Sequence, residues 1–268
     1  MLLAPWYFAV MSTKIDAYSL CAVPVEQFFD NKSLGTATAF VWERRDKFYL
    51  ITNWHVVTCR NNETGEHLTS HAAEPNWLRA TFHPKAGMFE TCSRDIELRG
   101  VERQPKWLFH PVYRRKVDVV AIPLDPPEGE VGFRPINKLR QERLSVQIGM
   151  DVFVLGYPFG AAPPSFPVWK RGSIASEPGL VQIGEKFYLV DTASRPGMSG
   201  APVILRTYGT HLTESGPSTT TAPATKFLGI YSGRLQTKDS GDTQLGRVWP
   251  EAYITDIIDT NRLDPGAD

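Results

Sequence analysis

Residues 35–57 read GTATAFVWERRDKFYLITNWHVV. Two short runs stand out in this stretch, TATAFVW at 36–42 and FYLITNW at 48–54, both rich in Thr, Val, Ile and aromatic residues. Such side chains suit the pleated, half-buried surface of a β-strand. The charged stretch between them carries Arg44 and Arg45 and reads as a solvated face. Runs of the same kind recur at VDVVAIPL (117–124), DVFVLGYP (151–158), FYLVDTA (187–193), APVIL (201–205) and FLGIYSG (227–233). Gly, Pro, Asn and Asp bound them, which is the punctuation of a sandwich or barrel. Helical period is clearest in AYITDIIDTNRL (252–263), where Ile254, Ile257 and Ile258 share one face. The fold class read from these patterns is all-β with a C-terminal helix.

Composition narrows the function. The chain has 268 residues and is 42% hydrophobic, enough for one large domain or two smaller ones that share a cleft. Lys+Arg and Asp+Glu both number 29, so the net charge is zero and a nucleic-acid partner is not expected. The three cysteines, Cys21, Cys59 and Cys92, allow at most one disulfide and lack metal-site spacing, which suggests a reducing compartment. The N-terminal MLLAPWYFAVM has no basic residue before Lys14, so it lacks the charged start of a signal peptide and is too short to span a bilayer. A cytoplasmic location without a membrane partner follows as the expectation, and Met11 is an alternative start to Met1. The Pro/Gly-rich DPPEGEVGFRPI (125–136) reads as a linker, and TYGTHLTESGPSTTTAPAT (207–225) as a surface loop inserted between two strands.

The stretch RPGMSGAP (195–202) sets Ser199 between Gly197 and Gly200, with prolines on both sides. Glycine permits positive φ and close backbone approach, so this is a tight bend that displays a hydroxyl. It suits a nucleophile, and it also suits an ordinary turn. A serine hydroxyl needs a base within reach, and the base is best held by a buried carboxylate. Five histidines, His67, His71, His83, His110 and His211, sit in polar or Pro-flanked surroundings. His55 instead ends the apolar run YLITNW, at a strand end near the core. Asp118 opens the apolar run VDVVAIPL, where a carboxylate is costly without a partner. A satisfied core histidine and a strand-capping aspartate are the plain alternatives for these two. Together the three residues stand in the order His, Asp, Ser, each at the edge of a different run. His67 and His71 in EHLTSH (66–71) lack the His-Glu-x-x-His pattern of zinc peptidases, and no metal or cofactor is expected.

With these residues in view, the chain resembles the chymotrypsin-like (trypsin-fold) serine peptidases, most of all their bacterial, HtrA-like and trypsin-2 branches. The matching segments are GTATAFVWERRDKFYLITNWHVV, KVDVVAIPL, VFVLGYPFG, KRGSIAS, YLVDTASRPGMSGAPV and LGIYSG, in the family's order from about residue 35 to 233. The resemblance implies two antiparallel six-stranded β-barrels with the site in the cleft between them. Boundaries follow: an N-terminal segment and first strand at 1–34, a first barrel at 35–125, a linker at 126–145, a second barrel at 146–250 and a helical tail at 251–268. The resemblance further implies His55 as general base, Asp118 as its orienting partner, Ser199 as nucleophile, and the N–H groups of Gly197 and Ser199 as the oxyanion hole.

By the same resemblance, Ala193 and Ser194 form the floor and wall of the side-chain pocket. Tyr231, Ser232 and Gly233 pair with an extended polypeptide substrate. An uncharged floor at Ala193 argues against a preference for Lys or Arg and points to a small or medium apolar side chain. Arg247 either favours an acidic residue or simply faces solvent. Met198 stands where members activated from zymogens carry an aspartate, so activation by N-terminal cleavage is not expected. A regulatory protein partner is a further expectation, and no PDZ-like domain is visible. Two other classes compete: a catalytically quiet trypsin-fold scaffold, and an esterase. The esterase elbow reads Gly-x-Ser-x-Gly within a βα pattern, which is absent here.

Overall fold

The computed structural model describes residues 15–70, 72–87, 89–160, 166–182, 186–235 and 244–266. The alternative starts Met1 and Met11, the apolar N-terminal stretch and His71 lie outside the described residues.

Strands β1 (Ala22–Phe29) and β2 (Lys32–Arg44) form a hairpin, and β3 (Lys47–Thr52) adds to the other edge of β2. A short helix, α1 (Trp54–Thr58), follows directly. Then come β4 (Trp77–Phe82), β5 (Cys92–Glu97), β6 (Leu108–Phe109) and β7 (Val120–Leu124). They complete a seven-stranded sheet in the order β5-β4-β1-β2-β3-β7-β6. In the second half, β8 (Asp151–Gly156), β9 (Val168–Ile174), β10 (Tyr188–Asp191), β11 (Pro202–Thr213), β12 (Gly216–Arg234) and β13 (Leu245–Pro250) close into a barrel. Helix α2 (Pro178–Gln182) lies between β9 and β10, and α3 (Ala252–Thr260) follows β13.

Two expectations need correction. The first half is not a six-stranded barrel: it has seven strands, and its edge strands β5 and β6 are joined beyond their ends through a bridge at Arg99–Pro105. The additional strand, β6, is only two residues long, too short to register as an apolar run. Residues 207–225 are not a loop: they are the arms of a β11–β12 ribbon paired from Thr207↔Ala224 to Thr213↔Gly216. Both faces of the ribbon are largely exposed, so no hydrophobic alternation marks it. Its β-branched threonines favour extended backbone all the same.

Alternation within single strands explains how the halves meet. Along β2, Ala37, Ala39 and Val41 enter the core of the first sheet, while Phe40 and Trp42 enter a core between the halves. On β11, Val203 and Leu205 face the second barrel's interior and Ile204 the shared core. Both faces of these strands are buried, which is why TATAFVW and APVIL read as nearly continuous apolar runs. Helix α3 sends Ile254, Ile257 and Ile258 into the shared core, as its period implied. The stretch expected as a linker is tethered here: Ile136 is fully buried, and Asn137 exchanges two hydrogen bonds with the backbone of Glu43.

Candidate active site

His55 leaves the end of β3 on the first turn of α1, not on the strand itself. Asn53 precedes the helix with extended backbone, and its side-chain amide donates to the carbonyl of Asp118 at 2.7 Å. That bond ties the start of α1 to the segment leading into β7. Asp118 then receives two bonds from His55: the backbone N–H at 2.9 Å and ring Nδ1 at 2.7 Å. Asp118 is 1% exposed and the His55 side chain 19%. Burial alone would push the Asp118 carboxyl up. The charge of His55, its two hydrogen bonds and the nearby Arg247 outweigh burial and hold the carboxyl below its ordinary value. An ionised Asp118 accepts only, so Nδ1 of His55 carries a proton, and the neutral form of the ring presents its lone pair at Nε2.

A pH prediction follows with a definite sign. A carboxyl depressed on folding stabilises the native state above its ordinary range, about 4, and the benefit fades as pH falls through the native value. Asp118→Asn is expected to lose about 1–3 kcal/mol of stability near neutral pH. Thermal melts of both proteins should show that gap narrowing steadily below about pH 4. A gap that widens on acidification would count against the pairing.

Ser199 sits in the turn between β10 and β11, and the first sheet holds this turn in place. Thr38 of β2 donates its N–H to the carbonyl of Ser199 and its hydroxyl to the carbonyl of Gly197, both at 2.8 Å. Thr52 of β3 donates to the carbonyl of Thr38 at 2.9 Å. Gly200 has φ +81°, and a Cβ there would lie 2.0 Å from the Thr38 carbonyl oxygen. His55 stands three residues beyond Thr52, so the same interlock brings the Ser199 turn alongside α1. Among the described residues, Ser199 Oγ and the His55 ring share no hydrogen bond.

Alternate N–H groups of the turn are committed. Met198 donates to Arg195 and Gly200 to Tyr231, whereas the N–H groups of Gly197 and Ser199 have no acceptor among the described residues. The Gly156–Gly160 turn backs this stretch, and Phe159 N–H reaches the carbonyl of Pro196 at 2.7 Å. Met198 is buried in the second barrel's core with its sulfur against Gly156, so the position before Ser199 is apolar.

The expected substrate contacts are only partly placed as supposed. Both backbone groups of Tyr231 are engaged within the barrel: its N–H donates to the Ala201 carbonyl and its carbonyl accepts from Gly200, so its N–H is not available to a substrate backbone. Its ring is fully buried, with the hydroxyl 2.5 Å from Ser194 Oγ. Ser232 and Gly233 fall in an irregularity of the β12–β13 ladder, and a Cβ on Gly233 would lie 4.0 Å from Ser199 Oγ. Ala193 is half-buried and Ser194 buried. Arg247 does not face solvent: it is 9% exposed and ion-paired to Glu63. Glu63 lies far away in the sequence, so nothing near Arg247 reveals this partner. Thr38 and Thr52 were not singled out from the sequence. Their one signal is a hydroxyl inside each of two otherwise apolar runs.

Comparison with known proteins now adds to this geometry. The family model for the trypsin-like peptidase domain matches residues 37–210, well over half of the chain. The chain belongs to this family. No curated protein sequence matches it. Among solved structures, the trypsin-like domain is similar to the serine endoprotease from Yersinia pestis, with TM-score 0.50 and 16% identity over 90% of this chain and 62% of that one. The chain thus spans under two thirds of that protein's length. It is also similar to the active form of the Rv3671c protease from M. tuberculosis, with TM-score 0.48 and 19% identity over 94% of this chain and 83% of that one. At such identities the likeness concerns the fold of the trypsin-like domain.

Proposed function

We propose that this chain is a serine endopeptidase. The observation that carries the reading is the buried Asp118 bonded to Nδ1 of His55, together with a glycine-flanked Ser199 whose N–H and that of Gly197 have no acceptor among the described residues. In the proposed reaction Ser199 Oγ attacks a peptide carbonyl while Nε2 of His55 takes its proton. Asp118 keeps the ring in one tautomer and stabilises the imidazolium. The tetrahedral oxyanion is received by the N–H groups of Gly197 and Ser199. His55 then protonates the leaving amine, and water repeats the sequence on the acyl-enzyme. A catalytic hydrogen bond between Ser199 and His55 can tighten when substrate binds.

A fluorophosphonate probe bonds to serines that a base and an oxyanion hole activate. Incubation with the purified protein is expected to label one peptide, the one containing Ser199, as read by mass spectrometry. Label on another serine would overturn the assignment, and no label would favour the quiet scaffold.

We also infer a shallow side-chain pocket. The Tyr231 ring takes up the space at Gly246, where a Cβ would meet it at 2.3 Å, and Arg234 bonds the Ser194 carbonyl at 2.7 Å. Protein side chains thus fill the region below Ala193 and Ser194, which supports a small residue at the cleaved position. Tyr231→Ala is expected to shift preference toward bulkier side chains by about tenfold or more in a peptide-library profile. It should also lose about 3–5 kcal/mol of stability to the cavity left behind. An unchanged profile would show that Tyr231 does not limit the pocket.

A further inference from the structure

A cavity of about 720 Å³ is lined by sequence neighbours of His55 and Asp118, and its charge is unlike that of the chain as a whole. Its walls include Trp54, the neighbour of His55, and the segment 113–116 that leads into Asp118. Five cationic side chains line it: Arg60, Arg114, Arg115, Lys116 and Lys186. Among the described residues, the lining contains a single carboxylate, Asp264, which already accepts the indole N–H groups of Trp54 and Trp107 and the N–H of Gly266. Arg60 is balanced from outside the cavity by Glu74. Arg115 donates to the carbonyls of Asn62 and Glu63, so its charge is oriented but not neutralised. Lys186 stands 5.2 Å from the ring centre of Tyr113. Among the described residues, neither Arg114 nor Lys116 forms an ion pair, and both are exposed. The chain has zero net charge, so this concentration of cations is local. A concave surface of one sign focuses its field and draws in the opposite charge.

We propose that this cavity is a binding site for an acidic segment of polypeptide, held next to the bond to be cut. Aspartate and glutamate side chains supply acceptors for charge-assisted bonds from Arg114, Lys116 and Lys186, and exposed Tyr113 offers apolar area between them. Naming the segment a part of the substrate rests on the peptidase reading. Binding itself does not, so the test reads binding.

The experiment uses the full chain carrying Ser199→Ala and a fluorescein-labelled decaglutamate peptide, followed by fluorescence anisotropy. Binding should weaken as salt rises. Arg114→Glu with Lys116→Glu should weaken it at least about tenfold. Lys32→Glu with Lys85→Glu changes net charge equally outside the cavity and should leave affinity unchanged. Should the first pair fail to fold, Lys116→Glu with Lys186→Glu carries the same expectation. Absence of binding, or equal loss in the control pair, would overturn the site. Tighter cavity-dependent binding of a decathymidine oligonucleotide would overturn its assignment to polypeptide.

Discussion

Ser199→Ala is expected to lower peptide hydrolysis by at least about 10⁴-fold. The substitution deletes the one atom proposed to form the acyl bond and little else. The contacts that hold the turn, Thr38 N–H to the Ser199 carbonyl and Thr38 hydroxyl to the Gly197 carbonyl, belong to backbone acceptors and persist. The melting temperature should therefore stay close to wild type while turnover of a fluorogenic protein substrate collapses. His55→Ala should fall by a similar factor. Because the two groups act as a unit, the double variant should be little worse than either single one. Activity within tenfold of wild type in Ser199→Ala would remove Ser199 from the mechanism.

Gly197→Val carries the second-largest expected effect, a loss of about 10²–10³-fold in kcat. Gly197 has φ +95°, where a β-branched residue is strained. Its Cβ would come within 2.3 Å of the Tyr157 carbonyl oxygen and 3.0 Å of the Phe159 nitrogen. Both are backbone atoms and cannot swing aside. The turn must shift, and the Gly197 N–H moves with it, away from the developing oxyanion. Gly209→Val provides the control, since Gly209 also has positive φ, +70°, but nothing within 4 Å of its Cβ position. Its strain should appear in stability and not in kcat. Equal kcat losses in both variants would show that the effect at Gly197 is not local to the site.

His55 and Asp118 were legible in the sequence because each interrupts or opens a run that must be buried, and a polar group there needs a partner. The glycines around Ser199 announced themselves through backbone freedom. What escaped depends on neighbours remote in sequence. Arg247 stayed open between a substrate role and a solvent-facing one because its partner Glu63 comes from the other half of the chain. The ribbon at 207–225 read as a loop because a strand exposed on both faces carries no alternation. Tyr231 read as a backbone partner for substrate because its residue type is silent about the bonds its N–H and carbonyl make to Ala201 and Gly200. Thr38 looked like one more β-former in TATAFVW, yet it joins two halves of the molecule.

That junction governs when the proposed chemistry becomes possible. The first half carries His55, the proposed base, and the second carries Ser199, the proposed nucleophile, but the bend displaying Ser199 is held by Thr38, a residue of the first half. Neither portion folded in isolation possesses the machinery. During synthesis the shared seam also waits for Ile254, Ile257 and Ile258, which follow both halves in the sequence. On the proposed reading, a nascent peptidase built this way has no means of cutting itself, or its neighbours on the ribosome, until both halves and the helix after them have been made.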